Sequence, residues 1–159
     1  SLLYEYCKNS PSNIIEIGRY RGGSTVVILE AIDRNPENIK LFSIDLTSKY
    51  LNPKCISVFN KFEAKVELIV GDSKVVNLPT NLSYSVLFID GDHSKEGVLG
   101  DFNRFFPLLE DGGFILLHDC GKEDIPGPSK ACHIIEEEYY NRIVKREQIK
   151  SLWVLEKIK

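Results

Sequence analysis

Acidic residues recur at one kind of position in this chain: the end of a short β-branched run, or the turn just after it. Glu16, Asp45, Asp72, Asp90 with Asp92, and Asp119 all stand there. Carboxylates converging from several chain segments can hold a cation, accept from sugar hydroxyls, or share a divalent metal. Two histidines, His93 and His118, fall beside these acids, and an imidazole titrates close enough to neutrality to accept a proton in catalysis. The stretch "IIEIGRYRGGST", Ile14 to Thr25, adds Gly18, Gly22 and Gly23 where a strand should give way to a helix.

The types exclude some ligands. A carboxylate rim repels phosphates, and no GxxxxGK phosphate loop occurs. A nicotinamide dinucleotide normally brings GxGxxG, whereas the spacing here is Gly18-x-x-x-Gly22-Gly23 with Arg19 in the turn. A cationic ligand that carries a ribose and no phosphate suits the residues better, and S-adenosylmethionine meets all three conditions. On that reading Gly18 permits the tight turn, and Gly22 and Gly23 let backbone approach the ligand. The first N–H groups of the following helix receive the methionyl carboxylate. Glu16 answers the ammonium, and Asp45 accepts both ribose hydroxyls, where dinucleotide folds also keep an acid.

The elements that must position these groups alternate. Strands are expected at 13–18, 39–45, 65–72, 84–92 and 113–119, with helices at 24–35, after Asn52-Pro53, over 94–109 and around 131–140. Asp111-Gly112-Gly113 is the expected stop of the 94–109 helix. The C-terminal "RIVKREQIKSLWVLEKIK" reads as two strands joined by a tight turn. Strand–helix alternation implies right-handed crossovers and a doubly wound α/β sheet, mostly parallel, with an antiparallel hairpin at one edge. Acids at the strand ends then share the rim where such sheets bind ligands.

The chain has 159 residues, 43% apolar and 27% charged, with net charge −3. That is one globular domain with no electrostatic support for nucleic acid or anionic membrane. No apolar run approaches the ~18 residues of a membrane helix. Four scattered cysteines without a CxxC (Cys7, Cys55, Cys120, Cys132) read as reduced thiols of a cytoplasmic protein. The absence of methionine marks a trimmed segment.

With these residues placed, the chain resembles a class I S-adenosylmethionine-dependent methyltransferase. It is most similar to the catechol and caffeoyl-CoA O-methyltransferase branch and its bacterial sugar O-methyltransferase and cephalosporin-hydroxylase-like relatives. The resemblance rests on "EIGRYRGGS" at Glu16, Gly18, Tyr20, Gly22 and Ser24, on "VGDS" at Gly71 and Ser73, and on "FIDGDHSKEGV" and "GGFILLHD". It implies a seven-stranded Rossmann-like sheet and one domain, 1–159, without the N-terminal helices that recognise the acceptor in that family. The cofactor would be S-adenosyl-L-methionine, with Asp72 reaching its exocyclic amine. Asp90 would bind a divalent metal and lie beside the cofactor, and His93 would stand where the catechol enzymes place their general base. Asp119 would be a second metal ligand. The third family position falls on Cys120, so His118 is the substitute, and Mg²⁺ or a softer ion stays open. His93 as a helix cap, His118 as a strand-end residue satisfied by backbone, and Asp101 as a structural mid-helix acid stand beside these roles. The loop 120–130 would flank the acceptor, a small hydroxylated molecule, and exposed sheet edges admit a homodimer. A second reading is a module that binds the cofactor without turnover, inside a larger protein. A third is a nicotinamide oxidoreductase, which the glycine spacing disfavours.

Overall fold

The computed structural model describes residues 1–159. Strands β1 (Asn13–Ile17), β2 (Leu41–Asp45), β3 (Val66–Val70), β4 (Tyr84–Ile89), β5 (Leu109–Leu117), β6 (Ile143–Ile149) and β7 (Leu152–Lys157) form one sheet. Their order is β3-β2-β1-β4-β5-β7-β6. The first five strands pair in parallel, and β7 pairs antiparallel with both β5 and β6. Helices α1 (Leu2–Lys8), α2 (Gly23–Asp33), α3 (Pro53–Lys61), α4 (Lys95–Phe105) and α5 (Pro126–Glu138) complete the domain. The expected doubly wound sheet and edge hairpin are therefore present. Strand order reverses between β1 and β4, which makes their carboxyl ends the switch point.

Two hydrophobic cores lie on opposite faces of the sheet, and alternation along β1 assigns each residue to one of them. Ile15 and Ile17 join Phe102, Phe105 and Phe106 at the end of α4, with Ala131 and Ile135 of α5. Ile14 joins Leu3 and Cys7 of α1 and Ile28, Leu29 and Ile32 of α2. Each phenylalanine buried at the end of α4 contributes about 1.5–3 kcal/mol. Asn52 caps α3 by accepting from Lys54 N at 2.9 Å, with Pro53 in the first turn, as the sequence indicates.

Several boundaries differ from the expected ones. Helix α4 ends at Phe105, because Pro107 forces a 3₁₀ turn over Phe106–Leu108. Asp111-Gly112-Gly113 is a bulge inside β5: the pairing of β4 with β5 slips there, and Gly112 has φ +82°. Helix α5 starts at Pro126 rather than near Ala131, and α1 forms in a segment assigned no element from sequence. Cys120 and Cys132 are joined as a disulfide and both are buried, so the expectation of four reduced thiols fails for this pair; Cys7 and Cys55 are free. No helix is long and apolar enough to cross a membrane.

Candidate active site

The exit of β1 is laced to both neighbouring strands. Gly18 N donates to Ile44 O at 2.9 Å, and Asp90 N donates to Ile17 O at 2.8 Å. Gly18 has φ +90°, and a Cβ there would lie 2.0 Å from the Asp90 carbonyl oxygen. This glycine therefore lets β1 and β4 touch; it answers a protein neighbour before any ligand. Gly22, also at φ +90°, packs against the Phe59 ring, whereas a Cβ on Gly23 would meet nothing within 4 Å.

Asp45 fixes the turn that follows. Its Oδ2 accepts from Arg19 N (2.9 Å) and Tyr20 N (2.8 Å), and its Oδ1 from Thr47 N (3.0 Å). Those bonds hold Tyr20 in the left-handed region (φ 44°), with its ring exposed. Oδ2 thereby holds two donors and Oδ1 one, so Oδ1 keeps a lone pair for a further donor such as a sugar hydroxyl.

Glu16 departs from its expected role. It is fully buried and lines neither large cavity. Its Oε1 accepts from Ser24 Oγ (2.6 Å), and its Oε2 accepts from Thr25 Oγ1 (2.7 Å) and Ser43 Oγ (2.5 Å). The alternation that sends Ile15 and Ile17 to one face sends Glu16 with Ile14 to the other, beneath α2. Burial raises its pKa and the three hydroxyls oppose the rise. Arg19 is equally hidden, 1% exposed, and donates from Nη1 to Ser43 O (2.6 Å) and Ser43 Oγ (3.2 Å). The Ser43 hydroxyl thus relays between the buried cation and the buried acid, and this network supports the β1 turn from below.

Around the β4 exit the titratable groups converge. His93 Nε2 lies 3.6 Å from Asp90 Oδ1 and 3.2 Å from Asp119 Oδ2. His118 Nδ1 lies 3.1 Å from Asp90 Oδ1 and 3.0 Å from Asp119 Oδ1. The distances to His118 are short but the angles are poor: Nδ1 of His118 and Oδ1 of Asp119 are buried without an aligned hydrogen bond. Contact with Asp90 raises the His118 pKa, and burial works against it. Lys122 Nζ reaches the same Asp119 oxygen, 2.5 Å from Oδ1. One ligand atom each from Asp90, His93 and Asp119 falls within 4.8 Å of the others. The buried, unpaired Nδ1 of His118 and a mixed oxygen–nitrogen donor set fit a divalent ion of borderline softness. Cys120 is excluded as a ligand by its disulfide.

Helix α4 is capped by Ser94, whose Oγ accepts from Gly97 N at 3.0 Å, so the His93 side chain is not the cap. The first turn of α5 abuts the same loop, since a Cβ on Gly127 would stand 2.2 Å from His93 O.

Two cavities open on this rim. One, about 690 Å³, is lined by Asp45, Gly71, Asp72, Ser73, His93 and Asp119 among others. The other, about 660 Å³, takes Gly23 and Ser24 at the start of α2 with apolar side chains of α1 and β7. They share Gly18, Tyr20, Asp90 and His118, so one elongated ligand can cross that ridge. Both volumes suit small-molecule sites. Of the residues expected at the site, Glu16 and Gly22 line neither cavity, and neither does any residue of 120–130, the expected loop whose second half is the start of α5. Asp101, expected to be structural, lines the first cavity.

Residues 15–120 match the family model described as a methyltransferase domain. A rhamnosyl O-methyltransferase of Mycobacterium leprae is 25% identical over 150 residues, covering 87% of this chain and 66% of that protein. The chain spans between half and two thirds of the length of the curated relatives it matches. Among solved structures, CalS11, a TDP-rhamnose 3'-O-methyltransferase, superposes with TM-score 0.78 at 15% identity, covering 98% of this chain and 75% of that one. The O-methyltransferase TomG from Streptomyces achromogenes, in complex with S-adenosylmethionine, gives 0.71 at 14% identity, covering 99% and 78%. At these identities the structural likeness speaks for the fold.

Proposed function

The chain belongs to the methyltransferase-domain family, and from that premise we propose that it methylates a hydroxyl oxygen of a small acceptor, with S-adenosylmethionine as donor. The observation that carries the proposal is the paired cavity at the β1–β4 switch point, with Asp45 on one side and Asp90 on the shared ridge. Asp45, already rigid through three backbone donors, accepts a ribose hydroxyl on Oδ1. Asp90, rather than the sealed Glu16, faces the methionyl ammonium. The free N–H groups at Gly23 and Ser24 receive the methionyl carboxylate at the positive end of α2.

The bound donor supplies an already electrophilic methyl group, so the protein's work is alignment and proton removal. His93 takes the proton from the acceptor hydroxyl on Nδ1 as the new O–C bond forms and the C–S pair returns to sulfur. Asp90 and Asp119, both within 4 Å of the other ring nitrogen, Nε2, accept its N–H, orient the ring and stabilise the imidazolium. A divalent ion held by Asp90 and Asp119, with the unpaired Nδ1 of His118 as its nitrogen donor so that His93 stays free as the base, would lower the pKa of the acceptor hydroxyl. The sugar-directed relatives support a sugar hydroxyl as the acceptor class.

Calorimetric titration with S-adenosylmethionine and S-adenosylhomocysteine tests donor binding, and methyl transfer to a panel of rhamnosides and phenols tests turnover. His93→Gln should lower kcat by about 10²–10⁴-fold with little change in donor affinity. Full activity in that variant would remove His93 from the mechanism. Absence of binding by either ligand would remove the proposal.

A further inference from the structure

Asp101 is the one deeply buried acid of the first cavity that neither the turn network nor the His93 cluster uses. It sits on α4 at 2% exposure, beside Phe102 in the core. Its Oδ1 accepts from Ser73 Oγ at 2.6 Å, and no protein donor reaches Oδ2. Position 91 is glycine, and a Cβ built there would come 3.5 Å from that oxygen, so the absent side chain leaves Oδ2 uncovered toward the cavity. The other acids nearby are differently occupied. Asp72 is exposed and accepts from Lys74 N (2.9 Å), and Asp92 is exposed and accepts from Ser94 N (2.9 Å).

A serine hydroxyl has one proton to give. Because Ser73 spends it on Asp101, its oxygen turns only lone pairs to the cavity. The couple offers acceptors alone: Ser73 Oγ and Asp101 Oδ2. We infer that Asp101 sets the base specificity of the donor site, making the Ser73–Asp101 couple accept from a 6-amino purine and reject a 6-oxo one. The assignment rests on the methyl-donor reading above and adds the residue that discriminates the base. Burial raises the Asp101 pKa, while donation from Ser73 opposes the rise. The ionised form held by Ser73 is the one that accepts.

The experiment is calorimetry on the intact chain with S-adenosylhomocysteine and with its 6-oxo counterpart, S-inosylhomocysteine. The wild type should prefer the amino form by about 10–100-fold, the worth of one hydrogen bond to a charged group. Asp101→Asn, whose amide can turn either its oxygen or its nitrogen to the base, should bring the two ligands close to parity. A wild type without preference, or an Asp101→Asn protein that keeps it, overturns the assignment. Should Asp101→Asn fail to fold, Ser73→Ala decides: a reduced preference supports the couple and an unchanged one overturns it. A wild type that binds neither ligand overturns the donor reading itself, which separates the two failures.

Discussion

Gly18→Ala probes the joint on which the site is built. The native φ of +90° places the new residue in backbone space that costs a Cβ-bearing residue about 1–2 kcal/mol. The Cβ would also land 2.0 Å from Asp90 O and 2.4 Å from its carbonyl carbon. Both are backbone atoms, so relief requires β1 and β4 to part where Asp90 N donates to Ile17 O at 2.8 Å. Overpacking of that kind costs a further ~1–3 kcal/mol. The sum, about 2–5 kcal/mol, lowers the urea midpoint by roughly 1–2.5 M for a slope near 2 kcal/mol/M. Gly23→Ala is the contrast, since its Cβ meets nothing within 4 Å at the start of α2. It should be neutral or gain up to about 1 kcal/mol. Urea unfolding followed by far-ultraviolet circular dichroism reads both variants. A Gly18→Ala midpoint equal to wild type, or an equal loss in Gly23→Ala, would refute the view that Gly18 exists for the contact between β1 and β4.

Three further outcomes are expected. Asp45→Ala strips three backbone N–H groups of their acceptor and should weaken S-adenosylhomocysteine binding about 10–100-fold by calorimetry; unchanged affinity would remove Asp45 from the ligand site. Glu16 has its pKa raised above 4.5 by burial, so the folded state retains a proton that the unfolded chain releases. Its contribution is fully present below about pH 4.5 and is lost as pH climbs toward the folded value. Glu16→Gln removes that decline, and a wild-type-minus-variant difference in urea midpoint that ignores pH between 4.5 and 7.5 would contradict the assignment. The disulfide closes a loop of sequence separation 12, which is worth about 3 kcal/mol. Reductant should therefore lower Tm by roughly 6–12 °C. Alkylation of the denatured, unreduced chain should label Cys7 and Cys55 alone; four labels would mean that the bond does not form.

The strands were legible because parallel β-structure buried on both faces reads as β-branched runs, as in "NIIEI" and "YSVLFI". The rim acids followed from where those runs end. What misled at Glu16 was proximity to the motif: two-residue alternation, applied to Ile14–Ile17, already puts its side chain under α2 rather than on the rim. The glycines misled in a different way. Glycine marks backbone freedom or close approach, but the partner comes from tertiary structure, and here it is Asp90 for Gly18 and Phe59 for Gly22. At the end of α4, Pro107 was a stronger stop than Asp111-Gly112-Gly113, since it removes a donor and clashes with the preceding turn. Cys120 and Cys132 meet only because α5 folds back over the end of β5, which no local spacing encodes. Asp101 looked structural because its helical neighbours Val98, Phe102 and Phe105 are core, and only the β4 turn beside it opens a cavity there.

The most direct measurement is a crystal structure of the chain with S-adenosylhomocysteine. The ribose should lie on Asp45, the base edge at Ser73 and Asp101, and the sulfur on the Gly18–Asp90 ridge between the two cavities. A ligand seated away from that ridge, or well-diffracting crystals grown at saturating ligand that show none, would contradict it.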